Sequence, residues 1–196
     1  MPQPTTEFIL VRHGQTDWNI EGRYQGQIGP GLNAKGRDQA AATARSLIGR
    51  EASALYTSDL ARALETAQII GAALGLTPQP DARLRELHQG RWQGMLYADI
   101  QREYAEALGR FREDPLHYGP PGGETLADLR DRLFAFLQEK AVAHPDQTVI
   151  AVTHKLPIAL LRCMESGAPL NHVWEYIPEN AAAITLRYPV DVPAAR

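Results

Sequence analysis

Phe8-Ile9-Leu10-Val11-Arg12-His13-Gly14-Gln15-Thr16-Asp17-Trp18-Asn19 is the stretch that decides the fold of this chain. Four consecutive apolar residues followed by an abrupt polar turn describe a strand covered on both faces, as in a parallel sheet. The strand runs out on Arg12 and His13, two side chains that are costly to bury without partners. A second segment has the same form: Thr148-Val149-Ile150-Ala151-Val152 leads into Thr153-His154-Lys155. In open α/β sheets, ligands bind beyond the carboxyl ends of the strands. Two strands that each end in a histidine therefore point to one shared site.

Outward from the first strand, Asn33 can cap a helix beginning near Ala34, with Ala40, Ala44, Leu47 and Ile48 at helical spacing. Leu55-Tyr56-Thr57 is a short strand candidate. Ser58 or Asp59 can then cap a helix carrying Leu60, Leu64, Ala67 and Leu74, ended by Gly75. Two strands separated by a helix make a parallel βαβ unit. Residues 77–94, with Pro78, Pro80, Gly90 and Gly94, read as irregular. Residues 95–114 read as helical, and Pro115 to Gly123 as a loop. Thr125 to Asp128 resembles a capping box, and Leu126, Leu129, Leu133, Phe136 and Leu137 follow on one apolar face. After the strand at 148–153, a helix is expected near 157–165 with Pro157 in its first turn. Late strands are expected at 173–177 and 181–188, with Pro189 to Arg196 a loose tail. The alternation predicts one α/β domain over residues 1–196. It is a three-layer α/β/α sandwich with a mixed, mostly parallel sheet, and residues 95–123 form an insertion over one end of that sheet.

Composition narrows the function classes. A 196-residue chain, 44% hydrophobic and 22% charged, can bury one sizeable core. Its net charge of −3 gives no broad basic surface, which argues against a nucleic-acid partner. A few converging arginines can still make a local positive pocket for a small anionic substrate. The lone Cys163 allows no intrachain disulfide and no thiolate zinc cluster, and its apolar surroundings read as a buried structural thiol. Met1 to Glu7 has no charged region leading into an apolar one, and no run is long enough to span a bilayer. The expectation is a cytoplasmic protein, monomer or homodimer, with no membrane partner.

Two histidines, several arginines and carboxylates without a thiol suit phosphoryl transfer, where catalysis is mostly positioning and neutralisation of charge. The guanidinium fork matches two phosphate oxygens at once. A histidine becomes the nucleophile when one ring nitrogen donates to a fixed acceptor, leaving the other lone pair for phosphorus. The carbonyl of Gly14 can be that acceptor, and the glycine lets backbone approach the phosphate closely. His13 and His154 could instead ligate a metal with Glu86 or Asp17. Two arginines beside a divalent cation would be repulsive, so no metal is assigned.

Arg12-His13-Gly14-x-Thr16-x-x-Asn19 resembles the signature of the histidine phosphatase superfamily, the phosphoglycerate mutase-like family. Further blocks follow in the family's order. They are Gln25-Gly26, Ser58-Asp59-Leu60-Ala61-Arg62-Ala63 with Thr66-Ala67, Glu86 with Gly90, Trp92 and Gly94, Gly122-Gly123-Glu124-Thr125, and Val152-Thr153-His154. The resemblance implies that His13 attacks phosphorus and that Arg12, Arg62 and His154 surround the phosphoryl group. It implies that Glu86 protonates the leaving oxygen and then helps to activate water. Asn19, Gln25 and Gly26 border the phosphate or the substrate. No metal and no organic cofactor is implied.

The chain also departs from the family pattern. Lys155 stands where many members carry glycine; it either points away or reaches a second anionic group on the substrate. Arg102, Arg110 and Arg112 form either a solvated helical face or a similar specificity element. Trp92 reads as packing, and His88, His117, His144 and His172 as surface or local structure. The short covering segment resembles the phosphatase branch, so a metal-independent phosphomonoesterase acting on small phosphorylated metabolites through phosphohistidine is expected. The alternatives are a cofactor-dependent phosphoglycerate mutase and a non-catalytic phosphate-binding or interaction domain.

Overall fold

Thr5–Arg12 forms strand β1 in the computed structural model, which describes residues 3–190. A short helix α1 (Asp17–Glu21) and a longer α2 (Ala34–Leu47) lead to β2 (Ala52–Thr57), α3 (Ala61–Leu74) and β3 (Pro78–Pro80). Helices α4 (Tyr97–Glu103), α5 (Ala105–Glu113) and α6 (Leu126–Ala143) come next. Strand β4 (Thr148–Thr153), helix α7 (Lys155–Ser166) and strand β5 (Ala183–Pro189) complete the order. The strands lie in the sequence β3-β2-β4-β1-β5, parallel throughout except for the antiparallel pair of β1 with β5.

The period-2 alternation of the central strands divides the core into two layers. Phe8, Leu10, Tyr56, Val149 and Ala151 pack against Leu133, Phe136 and Leu137 of α6 and Ile158 of α7. Ile9, Val11, Leu55, Ile150 and Val152 face Ala44 and Leu47 of α2 and Ala63, Ala67 and Ile70 of α3. Each such large side chain, fully buried, contributes about 1.5–3 kcal/mol relative to exposure. Helices cover both faces of the mixed sheet, as the sequence predicts for a three-layer α/β/α sandwich. The capping predictions at Asn33 and at Thr125 also hold: Asn33 accepts from the Gly36 amide, and Thr125 and Asp128 form a reciprocal box.

A third apolar cluster lies over α7. Trp92, Ile100, Leu108 and Phe111 pack with Leu156, Leu160 and the buried Cys163. This is where α4 and α5, inside the 95–123 segment, meet the body of the molecule. Among the described residues no helix is long and apolar enough to cross a membrane.

Several local expectations are corrected. Residues 77–94 contain β3, which pairs in parallel with β2 in the register Leu55 to Pro78 and Thr57 to Pro80. The prolines are tolerated because β3 is an edge strand and needs donors on one side only. The helical stretch 95–114 is broken at Tyr104, whose φ of −130° is not helical. Ile48 is the C-cap of α2 and lies 64% exposed rather than on its apolar face. Helix α3 is capped at Leu60 without a side-chain bond, because Asp59 is held by Arg85 (Nε to Oδ1, 2.6 Å) and Ser58 Oγ accepts only from the Leu60 amide. Helix α7 begins two residues early, at Lys155.

The strand expected at 173–177 is a 3₁₀ helix, Leu170–Tyr176. Its aromatic and branched residues mimic a strand pattern. Its backbone is instead tied to α7, where Arg162 Nη1 donates to the Tyr176 carbonyl (2.9 Å). The tail was expected to be loose from Pro189, yet Pro189 closes β5 and Val190 is 2% exposed, its amide bonded to the Pro4 carbonyl. The rest of that tail, 191–196, lies outside the described residues.

Candidate active site

β1 and β4 are central neighbours, and both release their chains at the same edge of the sheet. The His13 amide donates to the Thr153 carbonyl at 3.0 Å, which locks the two strand ends together. His13 and His154 consequently stand with ring centroids 5.1 Å apart. Arg62, from the first turn of α3, enters from the β2 side. Its Nε donates to His13 Nε2 at 3.3 Å, and its two terminal nitrogens donate to the carbonyls of Ile28 (3.0 Å) and Gly26 (2.6 Å). One guanidinium thus fixes the imidazole and the 26–28 turn at once. Gly26 has a φ of +55°, which a side chain would strain, and a Cβ there would strike Gln93.

His13 Nδ1 lies 2.7 Å from the Gly14 carbonyl. A carbonyl only accepts, so Nδ1 carries the proton and Nε2 keeps its lone pair. The pKa of His13 lies well below 6.5, first because the ring is buried and then because Arg62, Arg12 and Lys155 repel an added proton. His154 is also held well below 6.5 by burial and by Arg62. Its Nε2 meets Ser58 Oγ at 2.8 Å, while its buried Nδ1 has no partner.

The glycine at 14 also serves a packing purpose. A Cβ there would sit 2.3 Å from the Gly36 carbonyl oxygen, and a Cβ on Gly36 would sit 2.1 Å from the Gln15 oxygen. The pair lets the loop after His13 rest directly on the first turn of α2. The Gly14 amide then donates to Thr66 Oγ1 (3.1 Å), and that hydroxyl donates to the Arg62 carbonyl (2.8 Å).

Arg12 is 8% exposed. Its Nη1 donates to the Pro178 carbonyl, and its buried Nε is unpartnered. Burial lowers its pKa, and burial together with Arg12 brings Arg62 down to about 10. Glu86 opposes those shifts, and the one at Lys155, so its carboxylate lies in range of all three cations. Glu86 is 4% exposed, and its Oε1 accepts from the Leu87 amide at 2.9 Å.

One hollow brings the expected residues together. Arg12, His13, Asn19, Gln25, Gly26, Arg62, Glu86 and Lys155 all line it. His154 stands immediately behind His13. Asn19 is also structural: its Oδ1 accepts from the Thr16 amide (3.0 Å) and from Asn180 Nδ2 (3.3 Å). Arg102 and Arg110 are instead taken up by exposed carboxylates, as a solvated face would be. Arg112 differs, bonding the Tyr97 hydroxyl. His117 pairs with Asp114 at the surface. Among the described residues no group of three His, Cys, Asp or Glu side chains is arranged to hold a metal ion.

The residues that sequence reasoning missed act through the backbone. Arg132 of α6 donates to the carbonyls of Arg83 and Arg85 (2.7 Å each) and Glu86 (3.0 Å), and forms a two-pronged pair with Glu124 (2.9 Å each). It thereby holds the segment that presents Glu86. Asn180 donates to the His13 carbonyl at 3.1 Å. Ser58 and Thr66 position His154 and the Gly14 loop. A residue that binds a carbonyl leaves no chemical signature in its sequence neighbourhood, so Arg132 and Asn180 could not be singled out, and the sequence marks Ser58 and Thr66 without these roles.

Comparison with known proteins agrees with this arrangement. The sequence profile of the histidine phosphatase superfamily (branch 1) matches residues 8–195. Phosphoserine phosphatase 1 of Hydrogenobacter thermophilus is 35% identical over 176 residues, which is 90% of this chain and 83% of that one. Glucosyl-3-phosphoglycerate phosphatase of Mycobacterium tuberculosis is 38% identical, over 79% of this chain and 72% of that one. Among solved structures, a mycobacterial glucosyl-3-phosphoglycerate phosphatase complexed with VO3 superimposes with a TM-score of 0.83 at 35% identity, covering 91% of each chain. Bacillus stearothermophilus YhfR gives 0.84 at 34% identity, over 92% of this chain and 90% of that one. With its signature strand ends closed around one hollow and its sheet shared with these structures, the chain belongs to the histidine phosphatase superfamily.

Proposed function

We propose that this chain is a metal-independent phosphomonoesterase of the cytoplasm that hydrolyses small phosphorylated metabolites through a phosphohistidine at His13. The observation that carries the reading is the bond from His13 Nδ1 to the Gly14 carbonyl, which leaves the Nε2 lone pair in a hollow flanked by two arginines. The ring's depressed pKa keeps that lone pair unprotonated at neutral pH; it accepts only the 3.3 Å bond from Arg62 Nε, which turns to a phosphoryl oxygen when substrate binds.

In the first step Nε2 attacks phosphorus in line, and the bond from phosphorus to the ester oxygen breaks. Glu86 gives its proton to that oxygen. In the second step Glu86, now a carboxylate, takes a proton from water as the water oxygen attacks phosphorus and the bond to Nε2 breaks, releasing phosphate. Arg12 and Arg62 neutralise the oxygens during both displacements. Two buried donors are suited to the same task. One is Arg12 Nε, which lacks a partner. The other is His154 Nδ1: Ser58 Oγ already accepts from Leu60, and when its hydroxyl donates to Nε2, the Nδ1 proton is left for a phosphoryl oxygen. The single domain, with 95–123 as a cover over the hollow, suits such a substrate.

Rapid acid or alkaline quenching of the wild-type protein with a ³²P-labelled phosphoester tests this. Label retained on His13, together with turnover that survives a chelator, is the expected result. Absence of labelled protein across a broad panel of esters would reject it. Incubation with 3-phosphoglycerate and 2,3-bisphosphoglycerate should release phosphate without isomerised product; the reverse outcome identifies a mutase.

A further inference from the structure

The hollow around His13 shares Tyr24, Gln89 and Lys155 with a second cavity of about 180 Å³, walled by Leu108, Phe111 and Trp174. Its walls are mainly aromatic and aliphatic, with Arg112 among them, and no Asp or Glu among the described residues lines it. Two buried polar atoms on its walls, Trp174 Nε1 and Gln89 Oε1, have no partner. Buried polar groups are normally satisfied, so a ligand atom that reached either one would supply a missing bond.

Lys155 stands at the junction of the two spaces. Its Nζ lies over the Tyr24 ring, 5.3 Å from the centroid, and pairs with no carboxylate among the described residues. A cation held against an aromatic face in partial burial is desolvated, and the one anion that opposes this is Glu86, which Arg12 and Arg62 share. The charge balance of the first step makes this sharper. A phosphoryl dianion answers Arg12 and Arg62. Glu86, if it is to protonate the leaving oxygen, enters that step neutral. The charge of Lys155 is then left over at the boundary between the phosphoryl group and the chamber, with Arg112 on the chamber wall adding to the positive field there.

Resting on the phosphomonoesterase reading above, we propose that Lys155 is a specificity-determining residue. The preferred substrates are phosphomonoesters whose leaving group carries a carboxylate within two or three bonds of the ester oxygen and an apolar or aromatic body beyond it. The carboxylate binds Lys155 at the junction, and the body fills the chamber between α5 and the 3₁₀ helix at 170–176.

Three esters with alkyl leaving groups separate the parts of this claim. They are the 2-phosphate of 3-phenyllactate, the 2-phosphate of lactate, which lacks the ring, and 1-phenylpropan-2-yl phosphate, which lacks the carboxylate. For the wild-type protein, kcat/KM for the phenyllactate ester should exceed that for each of the others by about tenfold or more, the scale of one charge-assisted hydrogen bond or one buried ring. In Lys155→Met the advantage over the carboxylate-free ester should fall to near unity, while the advantage over the lactate ester persists. Lys155→Arg should keep most of the carboxylate preference. Equal kcat/KM for the three esters in the wild type would overturn the proposal while leaving the phosphatase reading intact. So would an equal loss on the carboxylated and carboxylate-free esters in Lys155→Met, which would place the lysine on the phosphoryl group. Failure to hydrolyse any of them, with no labelled protein formed, would reject the phosphatase reading itself.

Discussion

The floor of the hollow and the roof of the chamber beside it are built on opposite principles. The floor, at the ends of β1 and β4 and the start of α3, consists of polar atoms tied to main chain. Arg62 makes three bonds, His13 is held at both ring nitrogens, and Arg132 holds three successive carbonyl-bearing segments beneath Glu86. That roof, from α5 and the 3₁₀ helix at 170–176, is held by aromatic edges and apolar contact. Phe111 meets Trp92 with centroids 5.8 Å apart and Trp174 at 5.1 Å. Arg110 and His117, on and just after α5, sit in exposed ion pairs that contribute little. The contrast teaches that chemistry here is fixed by directed bonds, whereas the fit of a leaving group is left to shape.

If that division is real, substitutions on the floor should act on the rate for every ester. The largest effect is expected for His13→Ala. Turnover should fall by at least about a thousandfold, with the far-ultraviolet circular dichroism unchanged. Activity within tenfold of wild type would break the contrast at its centre. Next comes Glu86→Gln, which should slow an alkyl phosphate by about a hundredfold or more and p-nitrophenyl phosphate far less, since that leaving group scarcely needs a proton. A uniform loss on both would remove the acid from the floor.

A smaller effect concerns stability. The folded-state pKa values of His13 and His154 lie well below the ordinary 6.5, so an unfolded chain binds protons that the folded one refuses as pH drops through that value. Stability should therefore be fully present above about pH 6.5 and decline as the solution is acidified below it. Thermal unfolding from pH 7.5 to 5 measures the slope, and His154→Gln should flatten it; an unaltered slope would show that the burial of these rings is not what the fold resists. The smallest effect is expected on the roof. Arg110→Ala removes an exposed pair with Glu106 and should leave kcat/KM unchanged. A clear loss there would show that the roof, too, works by directed charge.

The same division explains what could be read from the amino acids alone. The floor was legible because phosphoryl chemistry restricts residue types. An arginine and a histidine after four apolar residues, and a second histidine after another such run, have few other uses. The sheet was legible from the unbroken apolar runs Phe8 to Val11 and Val149 to Val152. β3 was not, because Pro78 and Pro80 look like breakers until the strand is known to lie at an edge. The 170–176 helix was not, because Val173, Trp174 and Tyr176 carry the composition of a strand while their partners on α7 lie outside any local window. Arg132 and Asn180 stayed hidden because the carbonyls they hold are backbone, which every residue possesses. Lys155 was visible as an oddity, but its meaning required the cavity beside it.

The junction of Gly14 with Gly36 has a mechanical corollary. Two main chains meet there with no side chain between them to serve as a spacer or a hinge. The segment bearing the nucleophile therefore has no travel of its own; freeing it would mean lifting α2 from the sheet, an event close to global opening. Amide hydrogens of residues 13 and 14 should exchange with solvent as slowly as those in the middle of β1, so any closing motion during turnover falls to the substrate and to the helices above it.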